Sequence, residues 1–331
     1  MITRKNTLRL AACMALAFST AGAWAQDANN YPSKTISLVV PYAAGGSSDT
    51  RARQIAAKMA TYLGKSIIVE NKPGAAGNIG TDYIAKAAPD GHVIGIGNLA
   101  PLTVNKAMFA KLTYDPATDL VPIGLIERGP LVLLVSAEKS PFKTFGELVA
   151  WGKANPDKTS YASAGAGGAF HLAGELLEDV TGVHMLHVPY KGGGPATTDM
   201  LAGNVTFMFD MVPAALPYLK ANPAKARALA VAHEKRLPQF PEVPTLTELG
   251  LKDMAVSNWF GLVAPKGTPK SIVAKLNDAL NRALKDPEIS ERIVAQGNVI
   301  GGGTPEEFGA FIAAETARWS KVVKEKKIQA N

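Results

Sequence analysis

The chain has 331 residues, a formal charge of +7 and a single cysteine. Its cations are spread along the sequence and not interleaved with aromatic residues, which leaves nucleic-acid binding without support. Past the N-terminus no apolar run approaches the ~20 residues of a membrane span, and the length suggests about two domains of ~150 residues.

The first residues carry Arg4, Lys5 and Arg9 without an acid, then an apolar run from Leu10 to Phe18, then Ala23-Trp24-Ala25. That order predicts a signal peptide over residues 1–25, cut after Ala25, and a periplasmic, soluble product. Leu10-Ala11-Ala12-Cys13 also spells a lipobox, but a lipobox cysteine follows the apolar core and Cys13 stands near its start. With Cys13 removed, the product has no disulfide and no thiolate chemistry, and its charge falls to near +4 because three cations leave with the signal.

The remaining chain alternates β-branched runs with helical stretches, the α/β pattern. Ile36–Pro41 reads as a strand, followed by a Gly45-Gly46-Ser47-Ser48-Asp49 turn and a helix over Thr50–Tyr62. Ser66–Glu70 is a second strand, Ile79–Ala87 a helix ended by Pro89-Asp90-Gly91, and His92–Gly97 a third strand. Two successive crossovers of this kind imply a mainly parallel sheet. Ligands of such sheets sit beyond the carboxyl ends of the strands, which directs attention to Tyr42–Asp49 and Asn98–Thr103.

The pattern restarts with a strand at Leu131–Ser136, a helix at Thr144–Ala154 and a strand at Thr159–Ser163 leading into Ala164-Gly165-Ala166-Gly167-Gly168-Ala169. A helix at Phe170–Thr181, a strand at His184–Val188, a helix at Pro195–Ala202 and strands at Val205–Asp210 and Ala226–His233 follow. A strand-like run at Trp259–Pro265 precedes helices near Ser271–Leu284, Pro287–Gln296 and Pro305–Lys324. Lys321, Lys324, Lys326 and Lys327 then read as a solvated helix end. The expectation is two lobes, with residues 26–128 and 257–331 in the first and 129–256 in the second. Crossings near Glu127–Pro130 and Val256–Phe260 would form the hinge.

The Tyr42-Ala43-Ala44-Gly45-Gly46-Ser47-Ser48-Asp49 segment sets glycines and hydroxyls before a helix N-terminus, where free N–H groups and the helix dipole suit an anion. It reads equally as a tight turn capped by Ser47, Ser48 or Asp49, and Asp49 suits a loop organiser better than an anion contact. Ser163 to His171, with Gly165, Gly167 and Gly168 ahead of Ala169 and Phe170, repeats the device in the second half. Neither is a P-loop or a dinucleotide fingerprint. A hydrolase lacks its G-x-S-x-G elbow, and His92, His171, His184, His187 and His233 show no H-E-x-x-H arrangement. His184 and His187, three apart on a strand, are expected to face opposite ways and share no metal. His171 is kept as a hydrogen-bond donor to loop or ligand. Tyr190-Lys191-Gly192-Gly193-Gly194-Pro195 either reaches a cleft or caps the following helix, Asp210 either faces the cleft or is an ordinary loop aspartate, and Trp259 and Phe260 read as core or hinge packing.

Taken together the chain resembles the substrate-binding proteins of tripartite tricarboxylate transporters, the Bug proteins. The resemblance rests on Val40-Pro41-Tyr42 with Gly45-Gly46-Ser47-Ser48-Asp49, on Val69-Glu70-Asn71-Lys72-Pro73-Gly74-Ala75-Ala76-Gly77-Asn78-Ile79-Gly80 and on Ala87-Ala88-Pro89-Asp90-Gly91. It continues through His171-Leu172-Ala173-Gly174-Glu175-Leu176, His187-Val188-Pro189-Tyr190-Lys191-Gly192, Arg227 to Val231 and Val243-Pro244-Thr245. It implies a two-lobe Venus flytrap of the type II periplasmic-binding-protein class, joined by a two-crossing hinge, that binds without turnover and uses no cofactor or metal. It further implies a ligand carboxylate pinched between Tyr42–Asp49 and Ser163–Phe170, with Asn98 to Thr103 and the Asp210 region lining the rest. Phe170 departs from the smaller or polar residue frequent there. The partners implied are a small mono-, di- or aromatic carboxylate and an inner-membrane tripartite permease, for a monomeric receptor. The alternatives are a sensor docking on a histidine-kinase ectodomain and a periplasmic hydrolase.

Overall fold

The computed structural model describes residues 30–328, apart from 234, 252, 253, 255 and 327. The expected signal peptide, Cys13 and the cleavage site lie outside the described residues, as does Lys327.

Three parallel strands open the fold, in the order β2 (Ile67–Asn71), β1 (Ile36–Val40) and β3 (Val93–Asn98). Their crossovers are α1 (Ser47–Leu63) and α2 (Asn78–Ala85). α1 buries Ala52, Ile55, Ala56, Met59 and Leu63, a stripe of helical spacing, and stops at Gly64, whose φ of 69° suits glycine. Beyond β3 the chain winds through Ala100–Val104 as a π-helical turn into α3 (Asn105–Met108), where the sequence suggested a loop.

The long strand β4 (Leu120–Ser136) is the axis of the molecule. Its first half pairs antiparallel with β9 (Ser257–Pro265) and β10 (Val299–Gly302), and its second half with β7 (Phe207–Met211) and β8 (Ala226–Ala232). Only Leu131–Ser136 was legible as strand, because Pro122, Gly124, Glu127, Arg128, Gly129 and Pro130 interrupt the apolar pattern before it. Register shifts at Pro122/Gly124 and Leu125/Glu127 absorb those residues without ending the ladder. Gly129 pairs with Asn258 and Pro130 with Ser257, so the two expected crossings run side by side.

The second half adds α4 (Phe145–Ala154), β5 (Ser160–Ser163), α5 (Ala169–Thr181), β6 (Leu186–Pro189), α6 (Gly193–Ala202) and α7 (Val212–Leu219). β5 lies parallel to both β6 and β7. α7 escaped the sequence reading because Pro213 and Pro217 look like breakers; one sits in the first turn, where proline is tolerated. β6 begins after His184, so His184 and His187 do not share a strand as expected; His184 is exposed beside Glu178. Of the C-terminal helices α8 (Lys270–Lys285), α9 (Pro287–Ala295) and α10 (Pro305–Lys326), α8 packs on α1 and β4 and α10 on β4. There Trp259 packs edge-on against Phe308 and Phe311 and donates its indole N–H to Glu315, which bears out its reading as core.

Candidate binding cleft

The turn from β1 into α1 is closed by Asp49. Its carboxylate accepts from the Gly45 N–H at 3.1 Å, from Arg53 Nε at 3.1 Å and from Asn71 Nδ2 at 3.0 Å. Burial alone would raise the Asp49 pKa, but the bonds from Arg53, Gly45 and Asn71 outweigh it and hold the carboxyl below its usual range. Gly46 is the N-cap in extended conformation and no side chain caps the helix. The first-turn N–H groups of Ser47 and Ser48 are therefore left for another acceptor.

The turn from β5 into α5 is closed by a serine and two imidazoles. Ser163 Oγ accepts the Gly165 N–H at 3.2 Å and lies 2.6 Å from His187 Nε2. His171 Nδ1 accepts the Gly167 N–H at 2.9 Å, and its Nε2 lies 3.3 Å from Glu175. The two imidazoles stack at 3.9 Å. Burial, and then the adjacent His171, push the His187 pKa down to about 3. The bond to His171 holds Glu175 below its ordinary range against its burial. His171 thus accepts from the loop, where a donor was expected. Gly168 is the N-cap of α5, again with no side-chain bond.

Both open helix ends face one cavity enclosing about 410 Å³ of atom-free space, part of it open to solvent. Tyr42, Ser47, Ser48 and Asn98 line it from the ends of β1, α1 and β3, and Ala164, Gly165, Gly168, Ala169 and Phe170 from the turn between β5 and α5. Tyr42 donates to Asn98 Oδ1 at 2.7 Å, and Asn98 Nδ2 donates to Asn258 Oδ1 at 2.8 Å and to the Trp259 carbonyl at 2.7 Å. Burial raises the Tyr42 phenol far above its ordinary pKa, so it stays a neutral donor. None of the lining residues is charged. An anion there would be met by backbone N–H groups and two helix dipoles.

The sequence profile of the tripartite tricarboxylate transporter family receptor matches residues 51–328. The chain belongs to that family. It is 38% identical to BugT of Bordetella pertussis over 97% of this chain and 98% of that one. Among solved structures it is similar to an R. palustris protein with adipate, at a TM-score of 0.86, 35% identity and coverage of 90% and 99% of the two chains. It is also similar to MatC from Rhodopseudomonas palustris with bound malate, at 0.83, 36%, 88% and 100%. These are binding proteins, not enzymes, and the fold is that of the TctC and Bug periplasmic receptors.

Not every expected residue of this receptor lines the cavity. Asp49, Ser163, Gly167 and His171 stand behind the turns and hold them; Gly45 gives its N–H to Asp49. Thr103 bonds to the Leu99 carbonyl inside the π-helical turn. Asp210 is fully buried beside α6, accepting from Met211 N at 2.7 Å and Thr197 Oγ1 at 3.4 Å; burial pushes its pKa up to about 7 against those two bonds. Ala100, Ala166 and Gly193 line it from within the expected Asn98–Thr103, Ser163–Phe170 and Tyr190–Pro195 segments, and the cavity adds Ala76, Asn258 and Phe260. Asn258 and Phe260 alternate with the core residue Trp259 on β9, a period-2 signal that could have separated them.

Ala43 and Gly46 face the Tyr190–Pro195 turn. The Ala43 N–H donates to the Lys191 carbonyl at 2.9 Å. A methyl on Gly46 would lie 3.3 Å from Gly193 N, and one on Gly194 would lie 2.7 Å from the Ala44 carbonyl. The Tyr190–Pro195 turn therefore both reaches the cleft and starts α6, forming a backbone-to-backbone seam that only glycine allows.

Proposed function

We propose that this receptor captures a small carboxylate between the α1 and α5 N-termini and delivers it to an inner-membrane tripartite permease. The observation that carries the reading is the pair of uncapped helix N-termini, from opposite sides of one cleft, on a cavity without a charged side chain. A full or partial anion fits that environment and a cation does not. The complexes of similar proteins with adipate and malate support the same chemistry.

The lobes of the proposal are residues 26–128 with 257–331, and 129–256. Ligand contacts to both would favour the closed over the open arrangement. Export would follow cleavage after Ala25, and the product would act as a monomer. The test is a thermal-shift screen of carboxylic acids followed by calorimetry of the best acid beside its methyl ester. The acid should bind at least tenfold more tightly, since charge-assisted bonds to N–H groups are worth about 1.5–3 kcal/mol. Equal affinities would remove the carboxylate clamp.

A further inference from the structure

Asn258 lies on β9 opposite Gly129 of β4, is 5% exposed and lines the cavity on the same face of the strand as Phe260. Its amide orientation is dictated by its neighbours. Oδ1 accepts the Trp259 N–H at 3.0 Å and Asn98 Nδ2 at 2.8 Å, so turning the amide over would set its NH2 against two donors. The NH2 group therefore faces away from both, and its one protein acceptor among the described residues is the Met211 thioether at 3.6 Å. A thioether is a weak acceptor, and one sulfur does not satisfy two divergent N–H bonds.

This donor also stands at the end of a directed chain. The Tyr42 hydroxyl donates to Asn98 Oδ1 at 2.7 Å, and Asn98 spends both of its own N–H bonds, on Asn258 Oδ1 and on the Trp259 carbonyl at 2.7 Å. Hydrogen bonds aligned in this way polarise one another. Tyr42 and Asn98 thus have no donor left, and Asn258 does. A buried N–H without a good acceptor costs about 1–3 kcal/mol. The cavity lining holds no carboxylate that would favour an ammonium in its place.

We propose that Asn258 is a specificity-determining residue, whose amide N–H receives a second oxygen of the ligand while the α1 and α5 N-termini hold its carboxylate. The inference rests on the carboxylate reading of that cavity and narrows the ligand class to acids bearing a further acceptor oxygen, whether keto, hydroxyl or carboxylate. Such an oxygen satisfies a donor that a methylene group leaves unmet, and an ammonium in its place sets donor against donor. Met211, unbranched and soft, gives up its weak contact without leaving a strong polar group unpaired.

The experiment is calorimetry of the purified protein with straight-chain acids of four to six carbons, each beside its keto, ω-carboxyl and ω-amino derivatives. At the oxygen position that reaches Asn258 the derivative should bind about tenfold more tightly than the parent acid, and the amine more weakly than the parent. Asn258→Asp keeps an oxygen for Trp259 and Asn98 but turns the NH2 into an acceptor. The ratio of oxygenated to parent acid should then fall below one and the ratio of amine to parent should rise. Asn258→Ala should bring the oxygen ratio near one, and Tyr42→Phe, which shortens the chain but leaves the Asn258 donor, should keep the wild-type order. A role in packing alone would shift parent and derivatives by the same factor and move neither ratio. Acids that bind more tightly than their methyl esters but gain nothing from an added oxygen at any position would overturn the Asn258 subsite and leave the clamp standing. Wild-type ratios that survive in folded Asn258→Asp and Asn258→Ala proteins would do the same. Acids and esters that bind alike would overturn the carboxylate reading, and this inference with it.

Discussion

At the Ala43–Asp49 turn an ionic network holds the loop, with Asp49 buried and its cation Arg53 half in solvent. At the Ser163–His171 turn the same task falls to a buried serine and two stacked imidazoles, with His187 held uncharged by its burial. Both end in a glycine N-cap whose helix offers its first-turn N–H groups to one cavity. The difference teaches that the anion seat is a property of the backbone, and that the scaffolding behind it is free to vary. One turn is adjacent to water that can replace a lost partner. The other is not.

The largest effect should come from keeping the turns apart while leaving each intact. Gly194→Val sets a side chain where even a methyl would lie 2.7 Å from the Ala44 carbonyl, at a position with ordinary helical geometry. The lobe should fold, but the seam should not close, and carboxylate affinity should fall about a hundredfold or more, equivalent to losing one or two charge-assisted contacts. Calorimetry reads the affinity, and solution scattering reads whether ligand still shrinks the radius of gyration. Wild-type affinity in a well-folded Gly194→Val protein would show that the turns need not meet.

Second in size is the stability of the scaffolds themselves. Ser163→Ala removes the acceptor of the buried Gly165 N–H and the partner of His187, so urea unfolding should show a loss of about 2–4 kcal/mol. Asp49→Ala should cost about 1 kcal/mol, because Gly45 is exposed and water can take its N–H, while Asn71 keeps its bond to the Tyr42 carbonyl. High salt should shrink the Asp49 effect and not the Ser163 effect. Equal losses with equal salt dependence would erase the distinction between the two turns.

Much of this was legible in the chain. The apolar alternation found β1, β2, β3, β5 and β9 to within a residue or two, and the glycine-rich turns pointed to both helix ends. The expected hinge at Glu127–Pro130 proved to be the middle of β4, invisible as strand because its prolines and glycines are tolerated by a bulged ladder. The site residues divided for a reason that sequence does not carry. A glycine turn announces that backbone comes close to something, but which N–H groups are spent within the turn depends on side chains brought in from elsewhere. His171 and His187 consume or organise the donors of Gly165 and Gly167, and His187 comes from the neighbouring strand β6. Nothing near Gly165 in the sequence says so.

The smallest expected effect is a flat line that two substitutions should tilt in opposite directions. His187 is held neutral, with its pKa lowered from 6.5 to about 3, so between those values the unfolded chain binds more protons and stability rises with pH. Asp210 is raised from 3.8 to about 7, so between those values the folded chain binds more protons and stability falls with pH. Each slope has a ceiling of about 1.4 kcal/mol per pH unit. From about pH 5 to about pH 6 the two oppose each other, while the carboxylates held low, such as Asp49 and Glu175, lose their stabilising contribution chiefly below about pH 5. Wild-type stability should be nearly level across that interval. Asp210→Asn should unmask a rise with pH, and His187→Gln, which retains a hydrogen-bonding amide near Ser163, should unmask a fall. Urea midpoints at half-unit steps of pH read both. If both variants keep the wild-type profile, neither buried group titrates as its surroundings require, and His187 would have to be redrawn as charged.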